Sequence, residues 1–288
     1  MKIDSHIHLW NAEHTPQPWM TEEHASLNRP FGPDDIVPLI ERNGIDQVIV
    51  VQGACLDSDT DYVFEEAARS DWIGAVTAWV CLDDAERAAA RLSELETRPK
   101  FRGVRHLTHN EPDHWLVRPE VLDCVALLSE RDLILEIPVV FPRHFDDVLI
   151  LAERFAELRI VIDHLGKPPI ARPEMAQWSV ALHAVAEHPN VFAKVSGLNT
   201  ALDWADWTLE DLLPSVETAL ECFGPERLMC GSDWPVALLN GEYDRVWGAT
   251  AGALMMVAPD HADLLLGENA RRLYGLECPV ESSLKGDG

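Results

Sequence analysis

His6-Ile7-His8 sets two imidazoles two residues apart near the start of the chain. Side chains of a strand alternate at period two, so both rings leave from one side. At the mouth of a pocket, such a pair suits a divalent metal such as zinc, or a hydrolytic site that works without metal. The pair is common by chance, and its meaning depends on what accompanies it. Further along lie Arg105-His106, then His164 in Ile162-Asp163-His164-Leu165-Gly166, then Asp233 in Gly231-Ser232-Asp233-Trp234-Pro235. A carboxylate in that position can be a general base, a metal ligand or a helix N-cap. A guanidinium or imidazole can stabilise negative charge growing on a carbonyl oxygen.

The elements that position these groups are legible as alternation. Apolar runs at residues 2–9, 47–52, 73–82, 103–107, 133–140, 159–164, 191–196 and 227–232 read as strands. Several are near-continuous in Val and Ile, as expected of strands covered on both faces. Between them, residues 83–95, 119–130, 146–158, 174–188 and 209–223 read as helices. Asp34-Asp35 caps a helix that runs to Arg42, and residues 243–257 and 259–274 read as closing helices. The pattern predicts an α/β protein, a (β/α)8 TIM barrel in one domain over residues 1–280, with a loose tail at 281–288. A doubly wound open sheet is the rival, but no Gly-rich phosphate loop follows the first strand.

In a barrel the active site lies at the C-terminal ends of the strands. Those ends read His6 and His8, Gln52, Trp79, Arg105 and His106, Glu136, His164, Ser196, then Asp233 and Trp234. Polar groups end nearly every strand while the middles stay apolar, which a purely structural barrel would not need. Asp4 and Lys194 are expected to face inward and pair. Residues 11–33 and 197–208 are long enough to be lids. Trp10, Trp19, Phe31, Trp204 and Trp207 in these connections read as packing residues.

Bulk properties exclude several classes. The 288 residues carry a net charge of -26, which disfavours nucleic acid and anionic membrane as partners. No apolar run is long enough to span a membrane, and the polar first residues do not read as a signal peptide. The six cysteines are scattered without a C-x-x-C pair, as in a reducing, cytoplasmic protein. A small-molecule substrate is the expected partner, and a homo-oligomer is compatible with the sequence.

Strand-end His-x-His, a late His and an Asp after the last strand resemble the amidohydrolase superfamily. The chain is similar to its sugar-lactone hydrolases, the fuconolactonase and rhamnonolactonase group. The motifs are Asp4-Ser5-His6-Ile7-His8-Leu9-Trp10, Gly103-Val104-Arg105-His106, Asn110-Glu111-Pro112-Asp113, Asp163-His164-Leu165-Gly166-Lys167-Pro168-Pro169, Lys194-Val195-Ser196-Gly197-Leu198 and Gly231-Ser232-Asp233-Trp234-Pro235-Val236. The resemblance implies a barrel that hydrolyses a small lactone. Two-metal members of the superfamily carry a histidine on strand five, but here that strand reads Leu135-Glu136-Ile137-Pro138, which argues against a two-metal site. It implies at most one divalent metal, held by His6, His8, Asp233 and Glu111, and not obligatory.

On this reading Asp233 takes a proton from the attacking water, and Arg105 and His164 stabilise the oxyanion. Gln52, Trp79, His106 and Trp234 would bind the sugar hydroxyls and ring face. A neutral substrate is expected, since Arg105 is the clear mouth cation and Arg143 and Lys167 are further candidates. The alternatives are metal-dependent amide hydrolysis or decarboxylation, and a non-catalytic sugar-binding barrel.

Overall fold

The computed structural model describes residues 1–12 and 15–277; the expected tail at 281–288 lies outside them. Eight parallel strands follow one another around the sheet in chain order. They are β1 (Ile3–Ile7), β2 (Gln47–Val51), β3 (Ile73–Ala78), β4 (Phe101–Arg105), β5 (Ile134–Ile137), β6 (Arg159–Ile162), β7 (Val191–Val195) and β8 (Leu228–Cys230). The ring closes just past β8, where Ile7 bridges Trp234. There the Asp233 N–H donates to the His6 carbonyl at 2.8 Å, and the His8 N–H to the Trp234 carbonyl at 2.7 Å. Closure of the first strand on the last is what brings His6 and His8 beside Asp233.

Parallel neighbours need crossovers, and helices supply them. These are α1 (Pro33–Arg42), α2 (Asp57–Arg69), α3 (Ala85–Leu95), α4 (Pro119–Glu130), α5 (Phe145–Arg154), α6 (Met175–Ala186), α7 (Leu209–Phe223), α8 (Tyr243–Val257) and the short α9 (Asn269–Leu273). The apolar pattern predicts no helix over residues 57–69, whose Asp-Ser-Asp-Thr-Asp start has turn-like composition. Acidic groups in a first turn complement the helix dipole, and α2 begins there. The cap of α1 is Gly32, whose N–H donates to the Asp35 carboxylate at 3.1 Å. Residues 259–274 form no single helix: a 3-10 turn, a π-turn (Leu264–Glu268) and α9 follow one another. A Cβ at Gly267 would collide with the Met1 carbonyl, so the chain bends around its own N-terminus there.

The barrel interior is layered. Ile3, Ile49, Val51, Ala75, Ile134, Val161 and Met229 form an apolar floor, sealed by Tyr274 and its neighbours. Two residues further along the strands, on the same face, come Thr77, Glu136, Asp163 and Lys194, all buried. A second, larger apolar core lies between the strands and the helices.

Alternation breaks in β1, and this corrects one expectation. The register shifts between Asp4 and Ile7. Such a bulge changes which residues share a face. His6 therefore points into the barrel, whereas Asp4 accepts from the Ser232 N–H at 2.8 Å and from Tyr243 of α8 at 3.0 Å. Lys194 pairs with Glu136, not Asp4, at 2.5 Å. Burial pushes the Asp4 carboxyl up to about 6 although these donors favour its ionised form.

Candidate active site

Asp233 sits in the left-handed region at φ 65. This turn aims its carboxylate at the barrel axis. Its Oδ1 lies 3.3 Å from His8 Nε2, 3.6 Å from His6 Nε2 and 3.7 Å from His164 Nε2. Gly197 makes room for the carboxylate: at φ +60 it has no side chain, and a Cβ there would lie 2.6 Å from Asp233 Oδ2. His164 also has a positive φ, 54, where the chain turns sharply out of β6.

Burial raises the Asp233 carboxyl, but the imidazoles of His164, His8 and His6 outweigh it and hold the group below the usual carboxylate range. Burial drives His6 well below the usual imidazole range and lowers His164, each against the pull of nearby carboxylates. The centre thus favours an ionised Asp233 carboxylate, and burial disfavours charge on the His6 and His164 rings beside it.

The far nitrogen of each imidazole is also engaged. His8 Nδ1 meets the Val51 carbonyl at 2.8 Å and His164 Nδ1 meets Ser196 Oγ at 2.9 Å. His6 Nδ1 lies 3.3 Å from both Asp163 Oδ1 and Lys194 Nζ. Such partners orient histidines that bind metal. His6 Nε2 and His8 Nε2 are 3.3 Å apart. Tetrahedral donors at about 2.0–2.2 Å from a zinc ion would be about 3.3–3.6 Å apart, so these three groups fit one ion. His6, His8 and Asp233 converge in this way, as do His6, Asp163 and His164.

A cavity of about 270 Å³ opens above the group. Arg105, His109, Asn110, Lys167 and Thr200 give its lining polar groups, and Trp10, Trp19 and His24 give it aromatic rings. The Trp19 indole is fixed by donation to the Gly53 carbonyl at 2.8 Å and packs edge-on against Trp10. Trp10, Phe31 and Trp207 are buried as expected, although Trp10 also borders the cavity; Trp19, expected to pack, lines the cavity as well. Trp19 and His24 come from the first long connection and Thr200 from the second. Burial, with Arg105 and Lys167 nearby, pushes His109 down to about 3, so it lines the wall as a neutral ring.

Asp233, His164, Arg105 and His8 all reach the cavity. Among the described residues, Gln52, Trp79, His106, Trp234 and Glu111 do not line it. The Gln52 amide lies within the barrel wall, with its nitrogen 3.4 Å from the Arg105 carbonyl. Trp79 donates to His106 Nδ1 at 3.2 Å, and His106 Nε2 meets Glu111 Oε1 at 2.9 Å. Glu111 is therefore occupied by His106 and stands outside the His6–His8–Asp233 group, which corrects its expected place as a ligand. Trp234 is buried against Phe31, since the chain turns outward after Asp233.

Asp163, which the sequence shows only as one residue of a motif, holds the centre together. It touches His6, Lys194 and, at 2.9 Å, Arg105 Nε. Its signal in the sequence was an acidic residue closing an apolar strand, on the face of Val161.

A closed parallel barrel with imidazoles and an ionised carboxylate converging at its C-terminal mouth is an enzyme scaffold with a metal-capable site. The chain belongs to the amidohydrolase family, whose model matches residues 3–276. It is 36% identical over 283 residues to L-fucono-1,5-lactonase of Burkholderia ambifaria, covering 95% of this chain and 92% of that protein. It is 33% identical over 299 residues to the L-fucono-1,5-lactonase of Burkholderia multivorans, covering 99% of both. A crystal structure of a Burkholderia multivorans amidohydrolase with bound zinc superposes with a TM-score of 0.88 at 32% identity, over 96% of this chain and 100% of that one.

Proposed function

We propose that this protein hydrolyses the ester bond of a small sugar lactone to the hydroxy acid. The observation that carries the reading is the buried, ionised Asp233 carboxylate, ringed by three imidazoles under a cavity sized for a single sugar ring. Full-length similarity to two L-fucono-1,5-lactonases supports it.

Asp233 is the general base: its carboxylate accepts a proton as water attacks the lactone carbonyl. Arg105 and His164 face the oxygen that gains charge at the tetrahedral stage. The proton on Asp233 then passes to the ring oxygen as the C–O bond breaks. Trp19 and His24 receive the ring face, and Asn110, Lys167 and Thr200 its hydroxyls. Gln52, Trp79, His106 and Trp234 support these contacts from behind the wall.

His6, His8 and Asp233 would hold one divalent ion, which when bound polarises a carbonyl and acidifies water. The free thiols of Cys55, Cys81, Cys124, Cys222 and Cys230 suit a reducing compartment such as the cytoplasm. Among the described residues no helix is long and apolar enough to cross a membrane.

The test is a pH-indicator screen of aldonolactones, with and without a chelator. Acid release from at least one lactone is the expected result. Silence across the panel removes the proposal. Decarboxylation has less support, and would show as proton uptake on aromatic acids only.

A further inference from the structure

Asp59, in the first turn of α2, is fully buried. Its Oδ2 accepts the Gly53 N–H at 2.8 Å and the Ala54 N–H at 3.2 Å, and its Oδ1 accepts from Gln17 Nε2 at 3.0 Å. Gly53 and Gln17 also supply the acceptors of the Trp19 indole N–H, the Gly53 carbonyl at 2.8 Å and Gln17 Oε1 at 3.1 Å. Both groups that hold this cavity indole are thus themselves held by one carboxylate. We propose that Asp59 and Gln17 are positioning residues that fix the Trp19 ring in the cavity lining before substrate arrives, and so set substrate affinity rather than the rate of the chemical step.

The chemistry of the three side chains leaves one arrangement. A carboxylate only accepts, and an indole N–H only donates. An amide between them must turn its nitrogen to Asp59 and its oxygen to Trp19. A glutamate at position 17 would set charge against charge, and a leucine would serve neither partner. Gln17 is itself buried and packs over Gly53, where a Cβ would come within 3.2 Å of its Oε1.

Trp19 is half-buried and lies in the connection between β1 and α1, outside any helix or strand. Regular backbone pairing therefore does not fix its ring. A free side chain that substrate must order costs roughly 3–10-fold in affinity, and a ring already held avoids that loss. Neither Asp59 nor Gln17 lines the cavity, so both act through Trp19. The kinetic consequence rests on the reading that a lactone fills this cavity; the placement of the ring does not.

The test uses the full chain and has two arms. The first needs no substrate. Labelling with 5-fluorotryptophan gives ¹⁹F signals for the ten tryptophans, and the signal lost in Trp19→Phe is that of Trp19. Gln17→Met keeps the length of the side chain and removes both of its hydrogen bonds. It should shift or broaden the Trp19 signal and leave that of the buried Trp178 in place. An unmoved Trp19 signal overturns the proposal. The second arm uses a lactone that the wild type hydrolyses. Gln17→Met and Asp59→Asn should each raise KM about 3–10-fold and leave kcat within about twofold, the pattern of lost uniform binding. Gln17→Met alone carries this arm if Asp59→Asn does not fold. Gln17→Met/Trp19→Phe should have the KM of Trp19→Phe, because both changes cut one path. A loss of kcat at unchanged KM, or factors that multiply in the double variant, defeats the proposal. Silence across the lactone panel counts against the functional reading, and the fluorine signal then decides the role of Asp59 and Gln17.

Discussion

Ile134, Val161 and Phe192 pack at the barrel floor, while Glu136, Asp163 and Lys194, two residues on along the same strands, carry charge. Both layers are formed by the same backbone and exclude water. The floor stabilises by area: each buried aliphatic side chain contributes about 1.5–3 kcal/mol. The charged layer does not work this way, because desolvation of each ion offsets most of its attraction to its partners. With Glu136 and Asp163 set against Lys194 and Arg105, the layer is charge-balanced, and what it supplies is geometry. Glu136 alone is held by Lys194, by Thr77 at 2.6 Å and by Tyr274 at 2.6 Å, which ties the floor to the site above.

The contrast predicts that changes above the floor act on turnover and changes in it on stability. Asp233→Asn should lower kcat by about 10³-fold or more, with thermal unfolding nearly unchanged, as expected for loss of a proton acceptor used only in the reaction. Because the imidazoles hold Asp233 below the usual carboxylate range, its protonation should not limit the wild-type rate between neutral pH and about pH 5. An acid limb near neutrality in kcat would reassign the base.

Lys194→Met alone should destabilise the fold by about 3–5 kcal/mol in urea, since it strands buried carboxylate charge. If it unfolds like wild type, the charged layer is not the balanced unit described here. Gly197→Ala should cost about 10–100-fold in kcat, because its Cβ would press on Asp233 Oδ2 while the positive φ adds strain. Full activity in that variant would show that the carboxylate position is not critical. Ile134→Val, in the floor, should lower stability by about 0.5–1.5 kcal/mol and leave kcat alone. A large kcat effect there would erase the distinction between the layers.

Much of this arrangement was legible before the fold was known. Apolar runs of strand length separated by helical segments announce a barrel, and the barrel rule gathers the strand ends His6, His8, Arg105, His164 and Asp233 at one mouth. The errors have local causes. Asp4 was assigned to the His6 face by period two, which a bulge in β1 breaks. Glu111 was set among the metal ligands, but the path of its loop delivers it to His106. Trp19 reads as packing even though its connection, residues 11–33, reads as a lid, because residue type does not say which side of a lid an indole faces.

The sequence by itself determined the class of fold, the carboxylate and imidazoles at its mouth, and the apolar layer beneath them, because strand and helix periodicities are local properties of the chain. Only the tertiary structure decided who partners whom: Lys194 with Glu136 and His6, Asp163 with His6 and Arg105, Glu111 with His106. These contacts join different strands across a closed ring. Their distances depend on strand stagger, one bulge and the course of loops, which no local pattern encodes.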